Sequence, residues 1–188
     1  IELKLYRFPE VEHPANNQYS QARFLLGQKL FFDSILSRDN SLSCSSCHIP
    51  EFAFSDTNQF SLGVENRIGV RNAPSIMNVG FHPYFNKDGG VNTLEKQVLI
   101  PIQEHIEMDF NIVNISDRML RDSAYYEMSI DAYDRYPDAF VITRALACFE
   151  RTLISNNSRF DRYVSGDFSS LNSLEIDGME LFYGNKAN

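Results

Sequence analysis

Two cysteines and a histidine stand together in the run Cys44-Ser45-Ser46-Cys47-His48. Two thiols three positions apart can each add to one vinyl group of a haem, and the histidine beside them can then ligate the iron. The spacing therefore predicts one covalently attached haem c in this chain. Cys44 and Cys47 are the predicted attachment sites, and His48 is the predicted proximal ligand of the haem iron.

Other proteins use a C-x-x-C pair differently. A thioredoxin-like redox pair opens a helix after a buried strand, whereas this pair follows the polar run SRDNSLS and precedes IPEFAF. A zinc site needs a second ligand pair, and the other histidines, His13, His82 and His105, are scattered singly. Both sites remain alternatives, as does a haem-free protein with a Cys44–Cys47 disulfide. The third cysteine, Cys148, lies on an apolar helical face and is predicted to be a buried free thiol.

Charge and hydropathy exclude two classes of partner. The 188 residues include 17 Lys and Arg against 25 Asp and Glu, a formal charge of -8, so nucleic acid is not an expected partner. The longest apolar stretches, 98–102 and 145–149, fall far short of the roughly 20 residues that cross a bilayer. The first residues, IELKLYRFPE, do not form a signal peptide, although a mature chain whose signal has been removed looks the same.

The elements that must position the motif are helices and loops. Apolar periodicity and capping residues predict helices over 18–32, from Thr93, from Ser116 toward Tyr126, from Pro137 to Ile154 and over 173–183. Between 34 and 92 the sequence is rich in Ser, Asn, Gly and Pro and has no sustained period. So long an irregular stretch is unusual in a compact domain unless its loops wrap a haem that serves as their core. The predicted fold is an all-α, c-type cytochrome-like domain with long haem-wrapping loops.

Four blocks of the sequence resemble bacterial di-haem cytochrome c peroxidases and their MauG-like relatives, in which they occur in the same order. The blocks are LGQKLFFDSILSRDNSLSCSSCHIPEFAFSD, RNAPSIMN, DGGVNTLEKQVLIPIQEHIEM and ALACFERTLISNNSRFDRYVSGD. The resemblance runs from about Leu26 to the C-terminus. In the family, the segment resembling GMELFYGNKAN leads into a second C-x-x-C-H. We therefore expect residues 1–188 to be the N-terminal haem domain, with a second haem domain expected after residue 188 and absent from this chain.

The resemblance implies an activity and a set of site residues. In the family this domain houses the haem at which hydrogen peroxide is reduced to water, so the chain is expected to belong to an oxidoreductase. Glu107 matches the distal acid–base carboxylate, and Gln97 and Pro101 match its companions, ten and six residues before it. Taken alone, Glu107 reads as a solvated carboxylate at a helix end and Gln97 as a polar position on an amphipathic helix.

The resemblance also implies a second metal. Asn72, in the RNAP block, matches an asparagine that helps to bind a calcium ion between the two haem domains. The other ligands of that ion belong to the domain that follows. The alternative is that Asn72 is a turn residue before Ala-Pro.

Two positions depart from the family pattern. Many di-haem peroxidases carry, in the loop before the RNAP block, a histidine that caps the iron until reduction elsewhere releases it; the aligned residue here is Val64. Valine cannot ligate iron, so we predict an open peroxidatic iron, as in the MauG-like members. The second departure is Lys87, where many relatives have a tryptophan that relays electrons between the haems. The chain has no tryptophan, and Tyr84 is the candidate substitute, with core packing as the alternative.

The sixth ligand of the iron separates the remaining classes of function. A methionine ligand, from Met77 or Met108, is typical of an electron-transfer c-type cytochrome without catalysis. An open iron indicates a peroxidase, or a MauG-like oxidase of another substrate.

Partners and location follow from the resemblance. The expected partners are hydrogen peroxide, the second haem domain and a small electron-donor cytochrome c or cupredoxin, and a homodimer is a further expectation. Haem c is attached on the oxidising side of the membrane, which predicts a periplasmic protein.

Overall fold

The computed structural model describes residues 8–184 of the chain. Part of the N-terminal run IELKLYRFPE and the last four residues of GMELFYGNKAN therefore lie outside the described residues. The helices are α1 (Gln21–Phe32), α2 (Leu94–Gln97), α3 (Leu99–Gln103), α4 (Ile112–Leu120), α5 (Ser123–Tyr133), α6 (Ala139–Glu150), α7 (Arg159–Val164) and α8 (Ser173–Tyr183). No β-strand occurs between residues 8 and 184, which confirms the all-α prediction. In that range no helix is long and apolar enough to cross a membrane.

The chain divides into two compact units, and Glu12–Ile154 forms the larger one. Its centre is the packing of α1 against α6. The two helices approach so closely at Gly27 that a Cβ atom there would lie 1.9 Å from the carbonyl oxygen of Ala145. Beside this crossing, the rings of Phe31 and Phe149 lie 5.0 Å apart. The packing of α1 against α6 is therefore the centre of the hydrophobic core of this unit.

The smaller unit comprises the residues on either side, described over 8–11 and 155–184. Ser158 and Asn172 cap α7 and α8 through capping boxes with Asp161 and Glu175. The guanidinium of Arg159 donates to both carboxylate oxygens of Glu175, at 2.5 Å each. Helix α8 begins and ends where the sequence predicts.

Capping residues explain where the predicted helix boundaries are right and wrong. Ser20 caps α1, which ends before Asp33 as predicted. Pro137 lies just outside α6, because the side chain of Asp138 accepts a hydrogen bond from the Val141 amide and so caps the helix. The prediction of one helix from Ser116 to Tyr126 is wrong. Asn111 and Asp122 instead cap two successive helices, and the chain turns between them.

No α-helix occurs between 33 and 93; this stretch holds single turns of 3-10 helix. Isolated antiparallel bridges close three small loops within it, Ile49 to Ser55, Leu62 to Ile68 and Phe85 to Val91. The prediction of a long irregular segment is therefore confirmed. The bridges give this segment a defined course without a sheet.

A buried polar cluster fixes α2 against α6. Arg151 donates to both oxygens of the Glu95 carboxylate, at 2.6 and 3.0 Å. The side-chain amide of Asn17 donates to Glu95 and to the carbonyl of Arg144, at 2.9 and 3.0 Å. Arg151 is only 7% exposed, and the Glu95 carboxylate compensates its buried charge. The cluster thereby positions the short helix that carries Gln97.

Candidate haem site

A cavity of about 590 Å³ opens within the unit 12–154. Its volume lies in the range of small-molecule and cofactor sites. Apolar side chains form much of its wall, among them Phe31, Val79, Phe85, Leu94, Val98, Ile102 and Leu146. The same cavity is lined by all the residues that the sequence assigns to the haem and its distal side, namely Cys44, Cys47, His48, Gln97, Pro101 and Glu107. Residues far apart in sequence thus share one chamber.

The C-x-x-C-H motif forms a tight turn at the cavity wall. The backbone amides of Cys47 and His48 both donate to the carbonyl of Cys44, at 3.2 and 2.9 Å. Ser43 and Ser46 close the turn from outside, since the Ser43 amide donates to the Ser46 hydroxyl at 3.0 Å. Cys44 and Cys47 are free thiols, and burial raises the pKa of both. No disulfide joins them, so both sulfurs are available for attachment to a haem.

His48 is held in the form that binds a metal. Its Nδ1 lies 3.0 Å from the carbonyl oxygen of Phe54, so Nδ1 carries the hydrogen and donates it. The lone pair of Nε2 is then left for an iron. Burial lowers the pKa of His48, with the carbonyls of Phe54 and Pro74 acting in the opposite direction. Ala53 and Phe54 both adopt left-handed backbone, with φ of 55°, in the turn that presents this carbonyl.

These observations fit haem c. A zinc site does not fit: between residues 8 and 184 no group of three or more His, Cys, Asp or Glu side chains could hold a metal ion. Two thiols, a neutral imidazole and an apolar wall match the attachment chemistry of haem c instead. Arg71 and Lys87 bring positive charge to the cavity lining and are candidates to bind the haem propionates. Arg71 pairs with Asp88 at 2.8 Å, and Lys87 donates to the side-chain oxygen of Asn72.

Glu107 lies in the turn that follows α3. Glu107 lines the cavity and is an exposed residue, and its carboxyl makes no hydrogen bond to any other residue in the range 8–184. Desolvation raises the pKa of Glu107, and the neighbouring charge of Glu104 raises it further. The direction is the one expected for a carboxyl between Ile106 and Met108. Pro101 accepts a hydrogen bond from the Met108 amide through its carbonyl, at 3.1 Å, which ties the turn back onto α3.

The other residues singled out from the sequence lie around the same cavity or outside it. Asn72, Tyr84, Lys87 and His82 line its wall and are exposed to solvent, Tyr84 at 62%. Val64 is fully buried, and its side chain does not form part of the cavity wall.

The two methionines and the third cysteine are also placed. Met108 lines the cavity, whereas Met77 packs against the main core. Cys148 is a buried free thiol, as predicted. The structure therefore leaves Met108 as the methionine in reach of the cavity.

One residue of the cavity wall, Glu150, was not predicted from the sequence. Glu150 is only 7% exposed and lines the cavity one helical turn after Leu146. Burial raises the pKa of Glu150 to about 8, and no hydrogen bond joins its carboxyl to another residue in the described part of the chain. The available signal was its position, because Ile142, Leu146 and Glu150 follow one another at helical spacing on the apolar stripe of α6.

The family profile described as "Di-haem cytochrome c peroxidase" matches residues 21–169. The chain belongs to this family. The resemblance read from the four blocks is thereby confirmed, and membership of the di-haem cytochrome c peroxidases implies haem c as the cofactor.

Individual relatives agree with the family assignment. The methylamine utilization protein MauG of Methylophilus methylotrophus is 34% identical over 187 residues, which cover 98% of this chain and 56% of the relative. Cytochrome c551 peroxidase of Pseudomonas aeruginosa is 31% identical over 160 residues, which cover 84% and 46%. This member of the di-haem peroxidase family thus spans about half the length of the curated relatives it matches.

Solved structures agree on the fold. The crystal structure of a MauG-like protein associated with microbial copper homeostasis matches with a TM-score of 0.88 and 34% identity, over 96% of this chain and 54% of that one. The di-haem peroxidase BthA from Burkholderia thailandensis matches with a TM-score of 0.76 at 22% identity, over 88% and 47%. The helical architecture of this chain is therefore that of di-haem peroxidases.

Proposed function

We propose that this chain is the peroxidatic haem domain of a di-haem cytochrome c peroxidase, which reduces hydrogen peroxide to water. The observation that supports the proposal is that one cavity contains both a complete haem c attachment set and a carboxyl that has no hydrogen-bond partner among the described residues. Cys44, Cys47 and His48 form the first part. Glu107, with its raised pKa, forms the second.

Each residue has a separate task in this mechanism. Cys44 and Cys47 hold the haem covalently, and His48 is its proximal ligand, oriented by the Phe54 carbonyl. When bound, haem c supplies an iron that binds peroxide and passes on two electrons. The carboxylate of Glu107 takes the proton from one peroxide oxygen and returns the carboxyl proton to the other, which leaves as water. Gln97 and Pro101 shape the same side of the cavity.

The reaction needs two electrons and two protons for each peroxide converted to two waters. In our proposal the electrons come from a second haem domain in a longer protein, which a small cytochrome c or cupredoxin reduces in the periplasm. Tyr84, which lines the cavity and is exposed, is the proposed relay on this route. Asn72 is the ligand that we propose this domain contributes to a calcium ion shared with the second haem domain.

Two observations favour other functions. Met108 lines the cavity, and a methionine bound to the iron would make the domain an electron carrier. The 34% identity to MauG favours an oxidase that acts on another substrate. The first alternative differs from the proposal in the coordination of the iron, and the second differs in the molecule that is oxidised.

Coordination is tested on the full-length ferric protein as isolated. We expect a high-spin visible spectrum and immediate azide binding without prior reduction, because Val64 cannot cap the iron. A low-spin spectrum that resists azide, and that becomes high-spin in Met108→Ala, would assign the domain to the electron carriers instead. Covalent attachment is checked on the same sample by the mass of the denatured chain.

A further inference from the structure

The loop that contains Gly63, Val64 and Arg67 is hydrogen-bonded to the turn that carries Glu107. The amide of Val64 donates to the carbonyl of Glu107 at 2.8 Å, and the amide of Gly63 donates to the carbonyl of Arg67 at 2.8 Å, which closes the loop on itself. Arg67 then reaches the turn through its guanidinium. It donates to the carbonyl of His105 at 2.8 Å and to the carboxylate of Asp109 at 2.7 Å. One arginine thus holds residues two positions before and two positions after Glu107.

The backbones of the loop and the turn are also in direct contact. A Cβ atom on Gly63 would lie 2.1 Å from the carbonyl oxygen of Ile106 and 2.8 Å from that of Glu107. These are distances that real Cβ atoms do not reach without moving a backbone. The fit is therefore specific to glycine, and the turn has no room to shift toward the loop.

A second arginine supports the turn through the same carboxylate. The amide of Arg38 donates to the carbonyl of Met108 at 3.0 Å, and its guanidinium lies 3.3 Å from Asp109. Glu65 pairs with both arginines. The side chains of Arg67 and Asp109 are 21% and 20% exposed, and the hydrogen bonds from Arg67 and His105 lower the pKa of Asp109. The pair of Arg67 and Asp109 is thus a partly buried, charge-assisted bond within a network.

We propose that Arg67 is a positioning residue for Glu107, which holds the acid–base carboxyl in place by clamping the turn at His105 and Asp109. This inference rests on the proposed role of Glu107. Since that carboxyl has no hydrogen bond of its own among residues 8–184, its place over the cavity depends on its backbone. A loosened turn displaces the carboxyl, and a misplacement of about 1 Å costs on the order of 100-fold in rate.

The test uses the full-length, haem-loaded protein and four variants: Arg67→Gln, Arg67→Lys, Glu107→Gln and the double variant Arg67→Gln/Glu107→Gln. Arg67→Gln should lower peroxide turnover by about 10- to 100-fold. Arg67→Lys should be intermediate, because lysine keeps the charge but has no second nitrogen to pair with Glu65 while the first donates to His105 and Asp109. Arg135→Gln, which breaks an exposed ion pair with Asp138, is the matched control with unchanged turnover.

A second readout does not depend on turnover. Hydrogen–deuterium exchange should become faster at the amides of Val64 and Met108 in Arg67→Gln and stay unchanged in Arg135→Gln, while haem content and azide affinity are retained in both. The proposal is overturned if turnover is unchanged in Arg67→Gln, or if Arg67→Gln costs as much in the Glu107→Gln background as in the wild type. If Glu107→Gln alone leaves turnover intact, the acid–base role fails instead, and the exchange data still report whether Arg67 clamps the turn.

Discussion

Glu107 lines the cavity on an exposed turn, and its raised pKa lets it keep a proton at higher pH than an ordinary glutamate does. Desolvation and the charge of Glu104 both raise that pKa, which suits a group that must both accept and return a proton. We expect Glu107→Gln, which keeps the size but cannot take up a proton, to lower peroxide turnover in the full-length protein by roughly 10² to 10⁴-fold. Steady-state kinetics measure the loss, with haem content and azide binding retained.

Glu104→Gln is the matched control for that variant. Removing the charge of Glu104 lowers the pKa of Glu107, so the limb of the pH profile that rises as Glu107 deprotonates should move to lower pH. Most of the turnover at neutral pH should remain. Near wild-type turnover in Glu107→Gln would instead return Glu107 to a solvated charge at the end of a turn.

The carboxyl of Glu150 makes the stability of the domain depend on pH. Its pKa is about 8 in the folded protein and 4.5 ordinarily, so between these values the folded state keeps a proton that the unfolded state has lost. The free energy of unfolding then falls as pH rises from about 5 to about 8. We expect Glu150→Gln to remove this decline, and thermal unfolding of the haem-loaded chain across that range measures it.

The sign of this effect is specific. The variant should gain melting temperature over the wild type progressively from pH 5 to pH 8, and the gain should level off above that. Glu175→Gln, which removes an exposed ion pair with Arg159, should show no such gain in that range. Parallel curves for Glu150→Gln and wild type would contradict the buried, protonated state of Glu150.

At the scale of residues, the sites of covalent haem attachment could be predicted from the sequence, whereas residues that act through their position in the fold could not. The spacing of Cys44, Cys47 and His48 is dictated by the haem, so it can be found in any sequence that contains it. Glu107 was found through the family resemblance. Arg67 and Glu150 could not be assigned, because their importance comes from contacts with residues 38 or more positions away or from burial in a cavity that several segments form together.

The crossing of α1 and α6 is the element-scale feature on which the larger unit depends. A Cβ at Gly27 would lie 1.9 Å from the carbonyl oxygen of Ala145 and 2.9 Å from the Cβ of Phe149. The two helices must therefore separate to accept any side chain at this position. We expect Gly27→Ala to destabilise the haem-loaded chain by about 1–3 kcal/mol, as overpacking does. Denaturant unfolding followed by circular dichroism measures the shift in midpoint.

Gly178 in α8 provides the opposite case. A Cβ there meets nothing within 4 Å, and alanine is the better helix former by about 1 kcal/mol. Gly178→Ala should therefore leave stability unchanged or raise it slightly. If Gly27→Ala and Gly178→Ala lose the same amount of stability, the close approach of α1 and α6 at Gly27 is not the cause of the destabilisation.

Helix prediction succeeded where caps and apolar periodicity agree. Both bounds of α8 and the C-terminal end of α1 are as predicted, whereas α1 begins at Gln21 and not at residue 18, because Ser20 caps it. Between Asn111 and Tyr133 the apolar positions run on through a turn at Arg121, so periodicity alone joined two helices into one. The cap residues Asn111 and Asp122 were the local signals that divide them.

At the scale of the whole molecule, the irregular segment between 34 and 92 forms much of the cavity wall. Helices α1, α4, α5 and α6 instead pack mainly against one another. The core formed by α1, α4, α5 and α6 contains its own apolar partners. Side chains such as Val79, Phe85 and Leu94 instead line the cavity on one side. Sequence alone predicted that this segment needs a cofactor as its core, because it lacks the periodicity that would let it pack against itself.

This division predicts how the chain responds to loss of its haem. In Cys44→Ala/Cys47→Ala, covalent haem should be absent from the mass of the denatured chain. Most of the helical circular dichroism should remain, because α1 and α6 bury each other without the cofactor. Hydrogen exchange should become faster in 44–92, which loses the cofactor that it surrounds, and stay slow in 139–150, because α6 keeps its packing against α1. Cys148→Ala is the matched control: Cys148 is buried but lies outside the cavity wall, so this variant should keep its haem and its slow exchange in 44–92. Covalent haem surviving in the double variant would refute the attachment sites, and collapse of α6 together with the loops would show that the haem supports the entire unit.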